Sequence, residues 1–172
     1  MQTGLSNQLT RQIGEHLVAA KLGRMGYVAA PFAGNVPLFD LLAADARGNS
    51  IPIQVKAING ASWQYQADTF LEIQLVDGFQ YVRGKKPLSN PNLVCIYILL
   101  HPNERDEFFI FRLCDLQDFT FKIYKSRKRP KAPKSFHCAV WPKHLKEFQD
   151  NWKLIAETFD DRNANYHLTA KS

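Results

Sequence analysis

The sequence predicts an α/β domain in which a mixed β-sheet is flanked by helices. Three observations carry that prediction. An apolar-periodic helix opens the chain from about Ser6 to Arg24, runs of β-forming residues follow with Leu93–Leu100 the longest, and an amphipathic stripe closes it. The predicted order is helix, three strands, loop, two strands, helix, basic loop, strand, helix, an alternation that suits layers of helix on sheet rather than a helical bundle. At 172 residues the chain has the length of one domain, taken as residues 1–160 with a polar tail at 161–172.

In the first helix, Ser6 or Asn7 is the cap, and Leu9, Ile13, Leu17 and Ala20 form one apolar stripe. Val18, Leu22 and Met25 form a second, so cover on more than one side is expected. Glu15 stands at the edge of this second stripe. Gly26 ends the helix, and Tyr27–Ala30 begins a strand that stops at Pro31. Two apolar strands come next, joined by the polar turn Asp45–Asn49. If Asp40 lies opposite Gln54, that turn has a permitted hairpin length.

Residues 57–68 read as a turn running into the polar-aromatic strand around Trp63-Gln64-Tyr65. Phe70–Val76 is compatible with a short helix or a strand, and Asp77–Asn92 with a loop or a ragged hairpin. Asn92–His101 suits a central strand, and Glu107–Leu113 pairs with it across Pro102–Asp106. From Asp115, the residues Leu116, Phe119 and Ile123 recur at helical spacing. Phe136–Trp141 suits an edge strand. Pro142 then opens a predicted helix with the stripe Leu145, Phe148, Trp152, Ile155 and Phe159, the clearest amphipathic pattern in the chain.

Composition excludes several classes. Hydrophobic residues make up 45% and charged residues 22%, ordinary for a soluble globular protein. Three cysteines without a CxxC argue against a disulfide framework or a zinc knuckle. The N-terminal residues lack a basic-then-apolar leader and the longest apolar run is too short to span a bilayer, so a cytoplasmic protein without membrane association is expected. No GxxxxGK[ST] or GxGxxG is present, and the five histidines show no HxxxH or HExxH spacing. The net charge of +6 and pI near 9.3 lean toward a polyanionic partner.

The chemistry-bearing pattern is Asp40 in one strand and Gln54-Val55-Lys56 in the next. Strand side chains alternate, so Gln54 and Lys56 share a face while Ile53 and Val55 take the other. Polar groups in apolar runs are unfavourable without partners, which marks the pair of strands as a candidate site. Carboxylates and an amide oxygen are hard ligands suited to Mg²⁺ or Mn²⁺, and a lysine beside such an ion can orient a water or neutralise a phosphorane.

Gly14-Glu15, Gly26-Tyr27, Asp40 and Gln54-Val55-Lys56 together resemble the PD-(D/E)XK nuclease superfamily, most closely its Holliday-junction-resolvase-like and homing-endonuclease-like branches. The resemblance covers the first third of the chain. It implies a restriction-endonuclease-like α/β/α core and a metal-dependent DNA endonuclease. Glu15, Asp40, Gln54 and Lys56 are then the catalytic residues, with Asp40, Gln54 and the Val55 carbonyl holding the metal. Two departures stand out: Phe39 rather than proline precedes Asp40, and the second acid is the neutral Gln54, a residue some active members carry there. A homodimer is expected by resemblance only, since resolvases and many restriction enzymes cut two strands as two-fold dimers.

Between Lys122 and Glu147 stand nine lysines and arginines against one acid, a net +8 where the whole chain carries +6. Lys125, Arg127, Lys128, Arg129, Lys131 and Lys134 are its densest part and suit contact with a phosphate backbone. A solvated loop is the commoner meaning of such a run. Trp63 and Tyr65 fit strand core better than base stacking. Nothing reads as base-specific recognition. Two further readings stay open: a non-catalytic nucleic-acid-binding domain on the same fold, and an interaction module whose basic loop meets an acidic protein.

Overall fold

The computed structural model describes residues 7–32, 38–125 and 134–169, with backbone alone for 163–169. Helix α1 (Asn7–Arg24) is followed by strands β1 (Val28–Pro31), β2 (Leu41–Ala44) and β3 (Ser50–Ile58), an antiparallel meander. Strand β4 (Trp63–Gln66) and the hairpin of β5 (Leu71–Val76) and β6 (Phe79–Lys85) come next. Then follow β7 (Val94–Leu99), β8 (Glu107–Arg112), α2 (Leu113–Lys125), β9 (His137–Val140) and α3 (Lys153–Thr169).

The central sheet has five strands in the order β1-β2-β3-β7-β8. β3 and β7 are parallel and the other neighbours antiparallel, so the sheet is mixed as expected. β7 lies between β3 and β8, and five of its six residues are buried, which accounts for its continuous apolar run. One face packs Val18 and Leu22 of α1 and Ile155 and Phe159 of α3 against Ile51, Ile53, Val55, Ile96 and Ile110. The other face packs Cys95, Tyr97, Phe109 and Phe111 against Trp63, Leu116, Tyr124 and Val140.

The stripe of α1 that meets the sheet is the second one, Val18 and Leu22, joined by Gly14 and Glu15; Leu9 and Ala20 stay exposed. Gly14 is essential to this approach. A Cβ there would stand 2.5 Å from the Ala57 Cβ and 3.3 Å from Ile98 Cδ1, so only glycine lets the helix backbone press onto β3.

Residues 70–85, undecided in sequence, form a hairpin with Asp77 and Gly78 both at positive φ (49° and 76°), the two-residue turn that matches strand twist. α2 starts at Leu113, two residues before the expected Asp115, because the Asp115 carboxylate accepts the Arg112 N–H at 2.8 Å and so satisfies a donor at the helix start.

The predicted helix from Pro142 is a correction. Pro142–His144 and Lys146–Phe148 are 3₁₀ turns, Asp150 sits at φ 52°, and the helix begins at Lys153. The stripe was misleading because it serves two cores. Leu145 and Phe148 pack on the aromatic face while Leu154, Ile155 and Phe159 pack on the aliphatic one, and a single straight helix cannot reach both. Between them Gln149 bridges Phe109 and the Asp150 N–H bonds Phe108 O at 2.9 Å, which covers part of edge strand β8. The backbone of α3 continues past Asp160 to Thr169.

Candidate active site

β2 and β3 pair with Leu41 opposite Ile53, and one further step of this register sets Asp40 opposite Gln54. At that step the ladder changes. The Asp40 N–H bonds Ile53 O, while the Val55 N–H donates to Asp40 Oδ2 at 2.8 Å. The Asp40 carboxylate thus replaces the backbone partner that β2 no longer offers. A strand residue directs its N–H and C=O to the same side, so the Val55 carbonyl also faces this opened edge. Leu38, just before it, holds φ 82°, a left-handed conformation strained for leucine.

Gln54 and Lys56 lie on the aromatic face beside β7, opposite Cys95 and Tyr97 in the parallel register. The Cys95 thiol stands 3.8 Å from Gln54 Oε1 and 3.7 Å from Leu93 O. Burial pushes the Cys95 thiol up from its ordinary range, with the Lys56 charge pulling it down and the charges of Asp115, Cys114 and Asp40 adding to the rise. The Lys56 side chain is exposed, and its carbonyl accepts the Trp63 indole N–H at 2.9 Å.

Glu15 comes from the opposite face, carried there by α1, and is 5% exposed. Its Oε1 accepts Arg11 Nε at 2.7 Å, one helical turn earlier. That bond is the main reason the Arg11 guanidinium is held above its ordinary pKa, and the charges of Glu15 and Asp40 act in the same direction. Arg11 is thus bonded to Glu15 and feels the charge of Asp40.

The sequence-predicted residues divide into three groups. Asp40 and Val55 are bonded at the end of β2, with Gln54 and Lys56 on either side of Val55 along β3. Glu15 approaches from the helix side through Arg11. The basic segment does not join them by any described contact: Lys125 ends α2 and Lys134 precedes β9, both exposed, while Arg127, Lys128, Arg129 and Lys131 lie outside the described residues. Arg11 was missed in sequence although its i,i+4 spacing to Glu15 was visible. Cys95 was missed because its pairing with Gln54 spans 41 residues with no local signal. Trp63 is buried against Tyr97 and Phe109, as its core reading required.

The donor set fits a hard divalent cation in chemistry. The recorded bonds engage one oxygen of Asp40 and one of Glu15. A half-turn of the Gln54 amide exchanges its oxygen and nitrogen, and a thiol accepts as weakly as it donates, so the amide oxygen can face the edge with Cys95 still paired. Among the described residues no group of three or more His, Cys, Asp and Glu is placed to hold a metal, so any such site depends on the Gln54 oxygen and backbone.

Across 95% of this chain and 99% of the other, the fold is similar to the solved structure of a bacterial homing endonuclease, I-Ssp6803I, with a TM-score of 0.51 and 14% identity. The two chains share a fold, a mixed α/β core. No protein-family model matches it, and no curated protein matches it. Among the described residues no helix is long and apolar enough to cross a membrane.

Proposed function

We propose that this protein is a metal-dependent DNA endonuclease of the PD-(D/E)XK type, with Glu15, Asp40, Gln54 and Lys56 as its catalytic set. The observation that carries the reading is the junction at the end of β2, where Asp40 faces Gln54 and takes the Val55 N–H on a nuclease-like fold. Asp40, Gln54 and the Val55 carbonyl would hold Mg²⁺ or Mn²⁺, with Glu15 beside them. Such an ion supplies Lewis-acid polarisation of the phosphate and a more acidic bound water.

The chain's own groups then have definite tasks. The Lys56 ammonium, exposed two residues from Gln54, neutralises charge that grows on the phosphate oxygens and orients the attacking water. Arg11 holds the Glu15 carboxylate in place through its Nε–H bond. Lys125, Lys134 and the basic residues between them track the phosphate backbone, and a homodimer would present two such sites to the two strands.

A second reading, a DNA-binding domain without catalysis, is favoured by the neutral Gln54 and by the Arg11 cation already paired with Glu15. Cleavage of supercoiled plasmid and branched DNA in Mg²⁺ and in Mn²⁺ separates the two. The endonuclease reading expects nicking that falls by about 10²–10³ in Lys56→Ala, a residue whose exposure leaves the fold intact. Salt-sensitive binding with no cleavage in either metal leaves only the second reading.

A further inference from the structure

The hairpin β5–β6 presents two different faces. Ile73 and Val82 pair across it and pack onto the aromatic core. Gln80, on the same inner face, accepts the Tyr124 hydroxyl at 2.5 Å and donates to Ser135 O at 3.0 Å. Tyr124 immediately precedes Lys125 and Ser135 immediately follows Lys134, so one glutamine fastens the hairpin to both ends of the basic segment.

The outer face carries Gln74 opposite Tyr81 and, at the tip, Val76 opposite Phe79. All four are exposed, Tyr81 by 44% and Phe79 by 40%. Between Glu72 and Ile73 the register shifts, and Arg83 is the extra residue on the opposing strand. Bulges re-aim a side chain, and this one sets the Arg83 guanidinium over the Tyr81 ring at 5.3 Å with Nε donating to Gln74 Oε1 at 2.9 Å. Stacked and bonded in this way, Arg83 has its guanidinium plane fixed while its two terminal amino groups form the outer edge of the fork. That edge matches the paired acceptors of a guanine in the major groove, and a two-stranded ribbon has the width to enter it. Exposed Val76 and Phe79 suit thymine methyl groups. Lys85 and Lys86 continue the cationic side, with Lys85 paired to Asp118, while Glu72 and the turn residue Asp77 are the acids nearby.

We infer that the outer face of the β5–β6 ribbon is a base-reading element for double-stranded DNA, with Arg83 and Gln74 contacting base edges and Lys134, next to the Ser135 that Gln80 bonds, contacting the backbone. The inference rests on the DNA reading above and adds sequence preference to it. The test is selection of bound duplexes from a randomised pool by the full chain, by Arg83→Ala, Gln74→Ala and Arg83→Lys, and by Lys134→Ala, with affinities then measured across a salt series.

Wild type should enrich a recurring site. Arg83→Ala should bind that site about 10- to 100-fold more weakly with the preference relaxed at one or two positions, and Arg83→Lys should restore it only in part. Lys134→Ala should instead weaken all duplexes alike and lower the salt slope by about one. Binding by wild type with no enriched site, or identical sites for wild type, Arg83→Ala and Gln74→Ala, overturns this inference and leaves the DNA reading standing. A complete lack of duplex binding overturns both. If Phe79→Asp converts an oligomer to monomer while the selected site is unchanged, the ribbon is a contact between copies of the chain and the inference fails.

Discussion

The two faces of the five-stranded sheet carry different side chains and do different work. The face under α1 and α3 is aliphatic, built from Val94, Ile96 and Ile98 of β7 with Ile51, Ile53 and Val55 of β3. The opposite face is aromatic, with Tyr97, Phe109, Phe111 and Trp63 tilted or edge-on at 4.9–5.7 Å between centroids. Branched aliphatic chains make a low surface that a helix can approach closely, as Gly14 does over Ala57. Large rings instead hold their covering elements further away. That face is covered by irregular pieces (β4 with β9, the β5–β6 hairpin and α2), and its margin admits polar groups such as Gln54 and Lys56. One face is a scaffold; the other borders the candidate site.

Removing a ring should break this arrangement most severely. Phe111 is fully buried and contacts both Tyr97 and Phe148, so Phe111→Ala should cost about 3–5 kcal/mol in denaturant unfolding. If the two faces are as separable as described, the loss will come with exposure of the Trp63 indole, seen in its fluorescence.

The aliphatic face is sensitive to addition rather than removal. Gly14→Ala should destabilise by about 1–3 kcal/mol, because the Ala57 Cβ it meets cannot swing aside. If the proposed endonuclease reading holds, it should also lift Glu15 away from the sheet and lower cleavage more than DNA binding. An unchanged melting temperature would show that α1 does not lie as close as this packing requires.

The smallest effect is expected where the hairpin meets α2 at the surface. Lys85 and Asp118 are both partly exposed, and Lys85→Ala should change stability by no more than about 1 kcal/mol. A larger loss would mean that the aromatic face depends on its rim as well as on its rings.

The pairing that carries the candidate site was readable because its spacing is local. Asp40, Gln54 and Lys56 belong to one hairpin whose turn, Asp45–Asn49, closes on itself through Asp45 Oδ1 accepting the Arg47 and Asn49 N–H groups at 2.9 Å. Those bonds set the register, and the register sets Asp40 against Gln54. The helix expected from Pro142 was not readable, since Leu145 and Ile155 obey one period in sequence while packing on opposite faces.

By itself the sequence determined the local matters: that β2, β3, β7 and β8 are strands, that Gly26 ends the first helix, and that Gln54 and Lys56 share a face. These follow from backbone sterics and side-chain alternation, which act over a few residues. Tertiary structure alone decided that β4 pairs with β9 across the chain, that Cys95 lies beside Gln54, and that α1 brings Glu15 into the core against the sheet. Those contacts form only when the two cores close, because each requires burial that no single segment can supply.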